Sequence, residues 1–419
     1  MQKKILFISY DGMTDPLGQS QVIPYLQGLS KNGFQLFILS CEKQAAFLQN
    51  ETAVQKMLAG YNIKWVPINY TKKPPILSTL KDIINLKKKA KQIHRLYGID
   101  MVHTRPGIPA LVGLWMKQTM GIKFLHDIRE FYAESRVDGG MWNIQHPLYK
   151  IVYRYFIKKE KEQVAKSNGI VCLTYAAEKI IRQLPEYKSN TPLSVIPCSA
   201  DMDLFDPSTI NTAQKQQLQN ELNIGEKDII VSYLGSIGGW YMTSEMLRFC
   251  KRLSDKIPQA KFLFISPHLH DVIVGEAAKH GLPAEKLIVK QGKRAVVPAL
   301  LSLSNYSIFF IKPCYSKLSS SPTKHGEIMA MGIPVITNSG VGDVEEIVNK
   351  YNSGYVLNDF TDEAFEAVIA AILDDKNFDA NEIRNGAKTF YSLEKAVEKY
   401  TAIYREILLS NKDFTSNKK

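Results

Sequence analysis

Ser319-Ser-Ser-Pro-Thr-Lys-His-Gly-Glu327-Ile-Met-Ala-Met-Gly-Ile-Pro-Val335 packs a cation, a helix start and a carboxylate into one short stretch. Upstream, Ser307 to Ile311 is an apolar run suited to a buried strand, and Lys312 to Ser321 carries the Pro, Ser and Tyr of a loop. Ser321 is expected to cap a helix whose first residue is Pro322, where a missing N–H costs nothing, and Gly332 to end it. Ile333 to Thr337 then reads as the next strand. Such a strand-loop-helix-strand unit sets backbone N–H groups and the positive end of a helix dipole at the carboxyl edge of a sheet, where a phosphate is stabilised. Lys324 adds a point charge there. Thr323 and Glu327 are four apart and Lys324 and Glu327 three apart, so all three are expected near one face of the first turns. In that arrangement Glu327 accepts hydrogen bonds from ribose hydroxyls while Lys324 faces phosphate. The bland alternative is an exposed ion pair of small value between the two.

The pattern S-P-T-K-x-x-E-x-M-A-x-G-x-P-V resembles the donor-binding segment of family 4 glycosyltransferases. These are retaining, nucleotide-sugar-dependent enzymes of the GT-B fold in which the Glu holds the nucleotide ribose. The resemblance implies an α/β chain of two Rossmann-like doubly wound domains facing across a cleft. It also implies a UDP- or GDP-sugar donor, bound through Ser319, Ser321, Pro322, Thr323, Lys324 and Glu327. Many relatives carry an E-x7-E pair; here the earlier position is Ser319, so a hydroxyl or main-chain amides stand where a carboxylate usually meets the donor sugar.

With 419 residues, 45% of them hydrophobic, the chain can bury more than one core, and two similar halves fit the length best. The apolar run after Lys4 is only strand-length before Asp11, which is too short for a signal peptide, and no run reaches the ~20 residues that span a bilayer. Cys41, Cys172, Cys198, Cys250 and Cys314 are odd in number and scattered, as expected in a reducing, cytoplasmic setting without a disulfide frame. The net charge of +12 is unevenly spread: residues 1–198 hold 28 Lys and Arg against 14 Asp and Glu, whereas residues 199–419 hold 25 against 27. Part of the excess is Lys81, Lys87, Lys88, Lys89, Lys91 and Arg95, interleaved with Ile83, Ile84, Leu86, Ile93 and Leu96 at helical spacing. Such a basic amphipathic helix suits an anionic membrane surface on the inner face of the cell membrane; a solvated helix face is the plainer reading. Nothing in the pattern suggests nucleic acid as a partner.

Strands are expected at Ile5–Tyr10, Phe34–Ser40, Ile63–Ile68, Met101–His103, Lys123–Asp127, Gly169–Leu173 and Ser194–Ile196, with helices such as Gln21–Lys31 and Pro147–Lys166 between them. A second series runs through Asp228–Gly235, Lys261–Ser266, Leu287–Lys290, Ser307–Ile311 and Ile333–Thr337. The expected domains are therefore 1–198, for the acceptor, and 199–390, for the nucleotide sugar. Val195 to Phe205 resembles the family's linker between them. A helix capped by Ser392, in residues 391–419, carries an apolar stripe, and the resemblance suggests that it crosses back onto the first domain. Asp201-Met-Asp203 tempts a metal reading, but it falls in the linker rather than after a donor-site strand, and no His, Cys and carboxylate cluster has ligand spacing. No metal or external cofactor is expected.

Other candidate groups follow strand ends. Asp11 to Pro24, with Gly18, Gln19 and Ser20, is a loop able to bring N–H groups to an anion, and it is similar to the family's glycine-containing loop near the donor phosphates and acceptor. It lacks G-x-G-x-x-G, so dinucleotide binding is unsupported. Leu125 to Trp142 is dense in ionisable groups directly after a strand. By resemblance His126 or Asp127 bonds donor or acceptor hydroxyls, while Arg129 and Arg136 suit an acceptor phosphate or carboxylate. His103 and Arg105 form a second candidate pair. Gly235, Ser236, Gly238 and Gly239 are placed to wrap a diphosphate; the Arg and Lys that relatives carry there are missing, leaving Lys324 first and Lys293 or Arg294 second as substitutes. Gly340 to Glu346 resembles the family's downstream loop. The expected reaction is transfer of a sugar to a hydroxyl of a glycan or lipid-linked acceptor. A nucleotide-sugar epimerase of the same architecture, or a noncatalytic nucleotide-sugar-binding subunit, are the alternatives.

Overall fold

The computed structural model describes residues 2–74, 76–266, 270–292, 294–374 and 377–410. The chain divides into two compact units, Met1–Pro197 with Leu393–Lys419, and Cys198–Ser392.

The first unit holds β1 (Lys4–Ser9), β2 (Gln35–Glu42), β3 (Ile63–Asn69), β4 (Met101–Thr104), β5 (Lys123–Ile128), β6 (Gly169–Cys172) and β7 (Leu193–Val195), ordered β3-β2-β1-β4-β5-β6-β7. All its pairs are parallel. Because both faces are covered by helices, the strands read as apolar runs whose alternate residues feed two cores. Ile5, Phe7, Leu36 and Leu125 serve one face, and Leu6, Ile8, Phe37 and Phe124 the other. The last helix, Leu393–Leu409, buries Ala396, Tyr400, Ile403, Tyr404 and Ile407 on the first of these faces. Gly28 lets it pack closely on the helix Ile23–Lys31, since a Cβ there would fall 2.4 Å from Val397 Cγ2. Full burial of each such aliphatic side chain contributes about 2 kcal/mol.

The second unit holds β8 (Ile229–Leu234), β9 (Ala260–Ile265), β10 (Leu287–Lys290), β11 (Tyr306–Ile308), β12 (Val335–Asn338) and β13 (Gly354–Leu357), ordered β10-β9-β8-β11-β12-β13, again all parallel. In each sheet the order of connection reverses once, between β1 and β4 and between β8 and β11. Those reversals open a crevice at the carboxyl ends of the strands, where α/β sheets bind ligands.

Three expectations are corrected here. The apolar run Ser307–Ile311 leaves the parallel ladder after Ile308: Phe310 and Lys312 bond instead to Met242 N and Trp240 O, and Ile311 bridges Tyr241 antiparallel. β13 escaped the sequence reading because it is short, half-buried and begins with Gly354. In the basic helix Leu77–Tyr97 the core takes Ser78, Asp82, Leu86, Ala90 and Ile93, so Ile84 and Leu96 are not part of one apolar face with Leu86 and Ile93 but lie exposed. The outward stripe is Leu77, Leu80 and Ile84 followed by Lys88, Lys91 and Arg95.

Candidate functional site

The stretch around Lys324 folds as a 3₁₀ turn, Tyr315–Ser319, and a helix, Thr323–Ala330, that Gly332 ends at φ 72°. Ser321 does not cap it. Its hydroxyl accepts from Cys198 N at 3.2 Å, while Pro322 takes the capping position without a side-chain bond. Ser319 is fully buried and donates to Ser316 O at 2.8 Å. The helix is pinned from below: His325 Nδ1 pairs with Tyr391 Oη at 2.9 Å and Gly326 packs on the Tyr391 ring. Burial brings the His325 pKa down to about 3, so it stays neutral.

Lys324 and Glu327 are not the exposed ion pair of the bland reading. Both are buried, 6% and 7% exposed, and they face different partners. Glu327 Oε1 accepts from Arg294 Nη1 at 2.9 Å, and the Arg294 guanidinium lies 5.5 Å from the Phe205 ring centroid. Burial raises the Glu327 pKa and Arg294 opposes that rise. The Lys324 ammonium lies 3.7 Å from the Tyr241 ring centroid and 4.4 Å from that of Tyr233, and donates to Tyr233 Oη at 3.2 Å. Among the described residues it has no carboxylate in ion-pair contact. Desolvation brings its pKa down to about 7, with Glu327 opposing. Tyr233 Oη donates to Ser236 O; Gly238 N donates to Thr243 Oγ1; Ser236, Gly238 and Gly239 are exposed. These groups gather where β8 and β11 diverge, the ligand crevice of this sheet. Lys293 lies outside the described residues.

The linker before β8 is structural. Asp201 Oδ1 accepts from Asp203 N and Leu204 N, an Asx-type turn. Arg384 donates to the carbonyls of Phe205, Ala330 and Met202 and pairs with Asp206 at 2.8 Å. Arg384 thereby ties the linker to the end of the Lys324 helix.

In the first unit the loop after β1 does bring N–H groups to an anion, but the anion is internal. Glu42, the last residue of β2, accepts from Met13 N at 2.8 Å, Thr14 N at 3.2 Å, Thr14 Oγ1 at 2.5 Å and Ser40 Oγ at 2.5 Å. Gly18 is not a loop residue. It is buried in the short helix Pro16–Gln21, where a Cβ would meet Gly12 O at 2.3 Å. Gln19 Nε2 donates back to Thr14 O and Ser20 Oγ to Pro16 O, so both side chains are engaged locally.

Strand alternation separates the residues expected to act together around β5. His103 and Asp127 point to the face covered by the last helix, and His126 to the opposite one, beside Phe124. Asp127 Oδ2 accepts from Tyr400 Oη at 2.8 Å and lies 3.3 Å from His103 Nε2, whose Nδ1 is 2.6 Å from Tyr404 Oη. Arg129 donates to Tyr400 Oη at 3.3 Å and lies 3.8 Å from Asp127. Burial alone would raise the Asp127 pKa, but Arg129, His103 and Arg105 bring it to about 2. The cavity beside Gln21, Asp127 and Arg129 has about 10 Å³, room for roughly one water. This network therefore seats the helix rather than offering an open pocket. His126 is buried, its pKa brought down to about 4 by desolvation, and its Nδ1 has no hydrogen-bond partner among the described residues. Arg105 pairs with Asp11 at 3.8 Å, and Arg136 with Glu130 at 3.1 Å while lying 4.3 Å from the Tyr132 ring centroid. Glu160 accepts from Tyr132 N at 2.8 Å and Ala133 N at 3.4 Å, closing the start of the helix Tyr132–Asp138; burial pushes its pKa up to about 7.

Sequence reasoning placed Tyr400 and Tyr404 only on an apolar stripe and gave Glu42 and the side chains of Tyr233 and Tyr241 no role of their own. For Glu42 there was a signal, an acid closing an otherwise apolar strand. The tyrosines sit in apolar patterns where nothing marks the hydroxyl or ring as more than core.

Residues 214–389 match the family model described as glycosyl transferases group 1. Among solved structures, a glycosyltransferase from Rickettsia africae is similar at 18% identity and TM-score 0.72, covering 98% of this chain and 99% of that one. Sucrose-phosphate synthase from Thermosynechococcus elongatus is similar at 16% identity and TM-score 0.73, covering 97% and 99%. HepE of Anabaena, solved in complex with UDP-glucose, is similar at 12% identity and TM-score 0.69, covering 96% and 99%. No curated protein sequence matches the chain. What these structures share with it is the GT-B fold, two parallel-sheet Rossmann-like domains.

Proposed function

We propose that the chain is a retaining glycosyltransferase of the family 4 type, moving a hexose from a nucleoside-diphosphate sugar to a hydroxyl of a glycan or lipid-linked acceptor in surface polysaccharide or glycolipid synthesis. The observation that carries this reading is the Lys324 ammonium, buried at the β8/β11 crevice without a carboxylate in ion-pair contact. A buried charge of that kind calls for a counter-ion, and a diphosphate supplies one. Glu327, one turn along the helix, offers carboxylate oxygens to ribose hydroxyls once Arg294 yields them. The family match over 214–389 and the UDP-glucose held by HepE support a nucleotide-sugar donor.

In this reading the bond from the sugar's anomeric carbon to the phosphate oxygen breaks as the acceptor oxygen attacks from the same face. The departing phosphate oxygen takes the acceptor's proton. Lys324 and the start of the helix Thr323–Ala330 stabilise the charge that develops on the diphosphate. His126 is assigned to a sugar hydroxyl, because its Nδ1 is buried without a partner. Arg105 and Arg136 are assigned to acceptor charge, and His103, Asp127 and Arg129 to holding the scaffold. The exposed Leu77, Leu80 and Ile84 beside Lys88, Lys91 and Arg95, with Leu148, Ile151 and Tyr155 beside Arg154 and Lys158, support docking of the first unit on an anionic bilayer from the cytoplasmic side. Sedimentation with phosphatidylglycerol vesicles, and not with neutral ones, is the expected result.

Thermal-shift screening against UDP- and GDP-sugars, then turnover with and without EDTA, tests the assignment. Glu327→Ala is expected to raise donor KM strongly and Lys324→Ala to lower kcat. Unchanged kinetics in both removes the site; conversion of donor without acceptor points to an epimerase; and binding without turnover points to a noncatalytic subunit.

A further inference from the structure

Lys324 and Glu327 stand three apart on one helix, the spacing at which opposite charges ordinarily pair, yet they do not. Glu327 is occupied by Arg294. The lysine, on a flexible four-carbon stem, is held away by three features of the stretch from the end of β8 to Tyr241. Tyr233, near the end of β8, presents its ring and its hydroxyl. Tyr241 presents its ring at 3.7 Å, and its backbone is fixed there because the chain after β11 turns out of the parallel ladder: Ile311 bridges Tyr241, Lys312 N donates to Trp240 O, and Met242 N donates to Phe310 O. Gly235, at φ 125°, leaves the third side open, since a Cβ there would fall 2.8 Å from Lys324 Nζ and 3.2 Å from its Cε. Glycine is required at that point for the backbone conformation, and a Cβ there would push the flexible end of Lys324 aside.

We propose that Tyr241 and Gly235 are positioning residues for the Lys324 ammonium, keeping it off Glu327 and at the sheet edge so that the phosphates of a nucleoside diphosphate meet a cation held by aromatic rings, while the sugar ring of the nucleoside is left to Glu327 once Arg294 yields it. The inference rests on the donor-site reading above and adds a division of labour to it. Aromatic faces attract an ammonium through the ring quadrupole without placing an opposite charge beside it, so no carboxylate competes with an arriving phosphate oxygen. A carboxylate in the same place would hold the lysine equally still and cancel it.

Calorimetric titration of the intact chain with UDP, GDP, uridine, guanosine and inorganic pyrophosphate tests this. Tyr241→Leu is expected to weaken the diphosphate that binds wild type by about tenfold and to leave the matching nucleoside unchanged. Tyr241→Phe keeps the ring and is expected to bind like wild type, which distinguishes the cage from a role of the hydroxyl. Gly235→Ala, which displaces the ammonium, is expected to follow Tyr241→Leu. Equal losses for nucleoside and diphosphate would show a structural effect and overturn the inference, as would a Tyr241→Leu variant that binds diphosphate normally. Wild type that takes pyrophosphate but no nucleotide sinks the nucleotide-sugar reading and leaves the cage standing. Wild type that binds none of the probes sinks both.

Discussion

Tyr400, in the last helix of the chain, donates its hydroxyl hydrogen to Asp127 at the carboxyl end of β5 over 2.8 Å, with both side chains buried. The same hydroxyl accepts from Arg129, so one tyrosine joins a carboxylate and a guanidinium that are otherwise closed off from water. Tyr400→Phe is expected to lower stability by about 1.5 kcal/mol. Asp127→Asn, which removes the carboxylate charge beside Arg129, is expected to cost about 3 kcal/mol. Denaturant titration of the two variants and their combination checks this; a double mutant that loses the simple sum of the two would show that the residues are not coupled.

Arg384 should behave as a keystone of the second unit. Its guanidinium serves three carbonyls and Asp206, and removing it leaves buried oxygens without donors. Arg384→Met is expected to cost about 3 kcal/mol, and Arg384→Lys, with fewer donors in a different geometry, to recover only part of that. Thermal melts that place either variant level with wild type would rule the role out.

The Lys324 side chain gives stability a definite pH slope. Its pKa falls from the free lysine value of 10.5 to about 7 on folding, chiefly through desolvation. Between those limits the unfolded chain binds a proton that the folded chain does not, so this residue makes stability rise with pH across that window. Lys324→Met lacks the term. The variant is expected to be most favoured relative to wild type below pH 7 and to lose that advantage steadily towards pH 10. A constant difference in midpoint across the range would contradict the assignment.

Glu160 gives the opposite slope. Its pKa rises from 4.5 to about 7, mainly through burial, so between those values the folded chain holds a proton that the unfolded chain has released. Its contribution is complete below pH 4.5 and is lost as pH climbs towards 7. Glu160→Gln, with an amide oxygen still able to accept from Tyr132 N, is expected to flatten this dependence. Midpoints for the two proteins measured from pH 5 to 8 should converge or cross; parallel curves would count against it.

The sequence showed its architecture where periodicity and punctuation agreed. Pro147–Lys166 and Leu287–Lys290 fall at the expected residues, and Gly332 ends the helix it was expected to end. The strand that was missed, Gly354–Leu357, and the strand that was overextended, at Phe309 to Ile311, are both cases in which tertiary pairing overrode local pattern. For the site, residue types were legible and partners were not. Lys324 and Glu327 stood out from their spacing, but that Arg294 takes the acid and two tyrosines take the lysine depends on loops contributed by β8 and β10, distant in sequence. His126 and Asp127 read as alternatives for one hydroxyl contact because they are adjacent, and a strand sends adjacent side chains to opposite faces.

Glu42 carries a consequence for the chain as a whole. Both halves are laid out on one plan, each with a turn after its opening strand at the point where a ligand is commonly received. In the first half two of that turn's amides, Met13 N and Thr14 N, already bond the protein's own acid. The homologous corner of the second half holds an unspent cation. The two corresponding corners thus differ: one carries its own carboxylate, and in the other a lysine is left between aromatic rings.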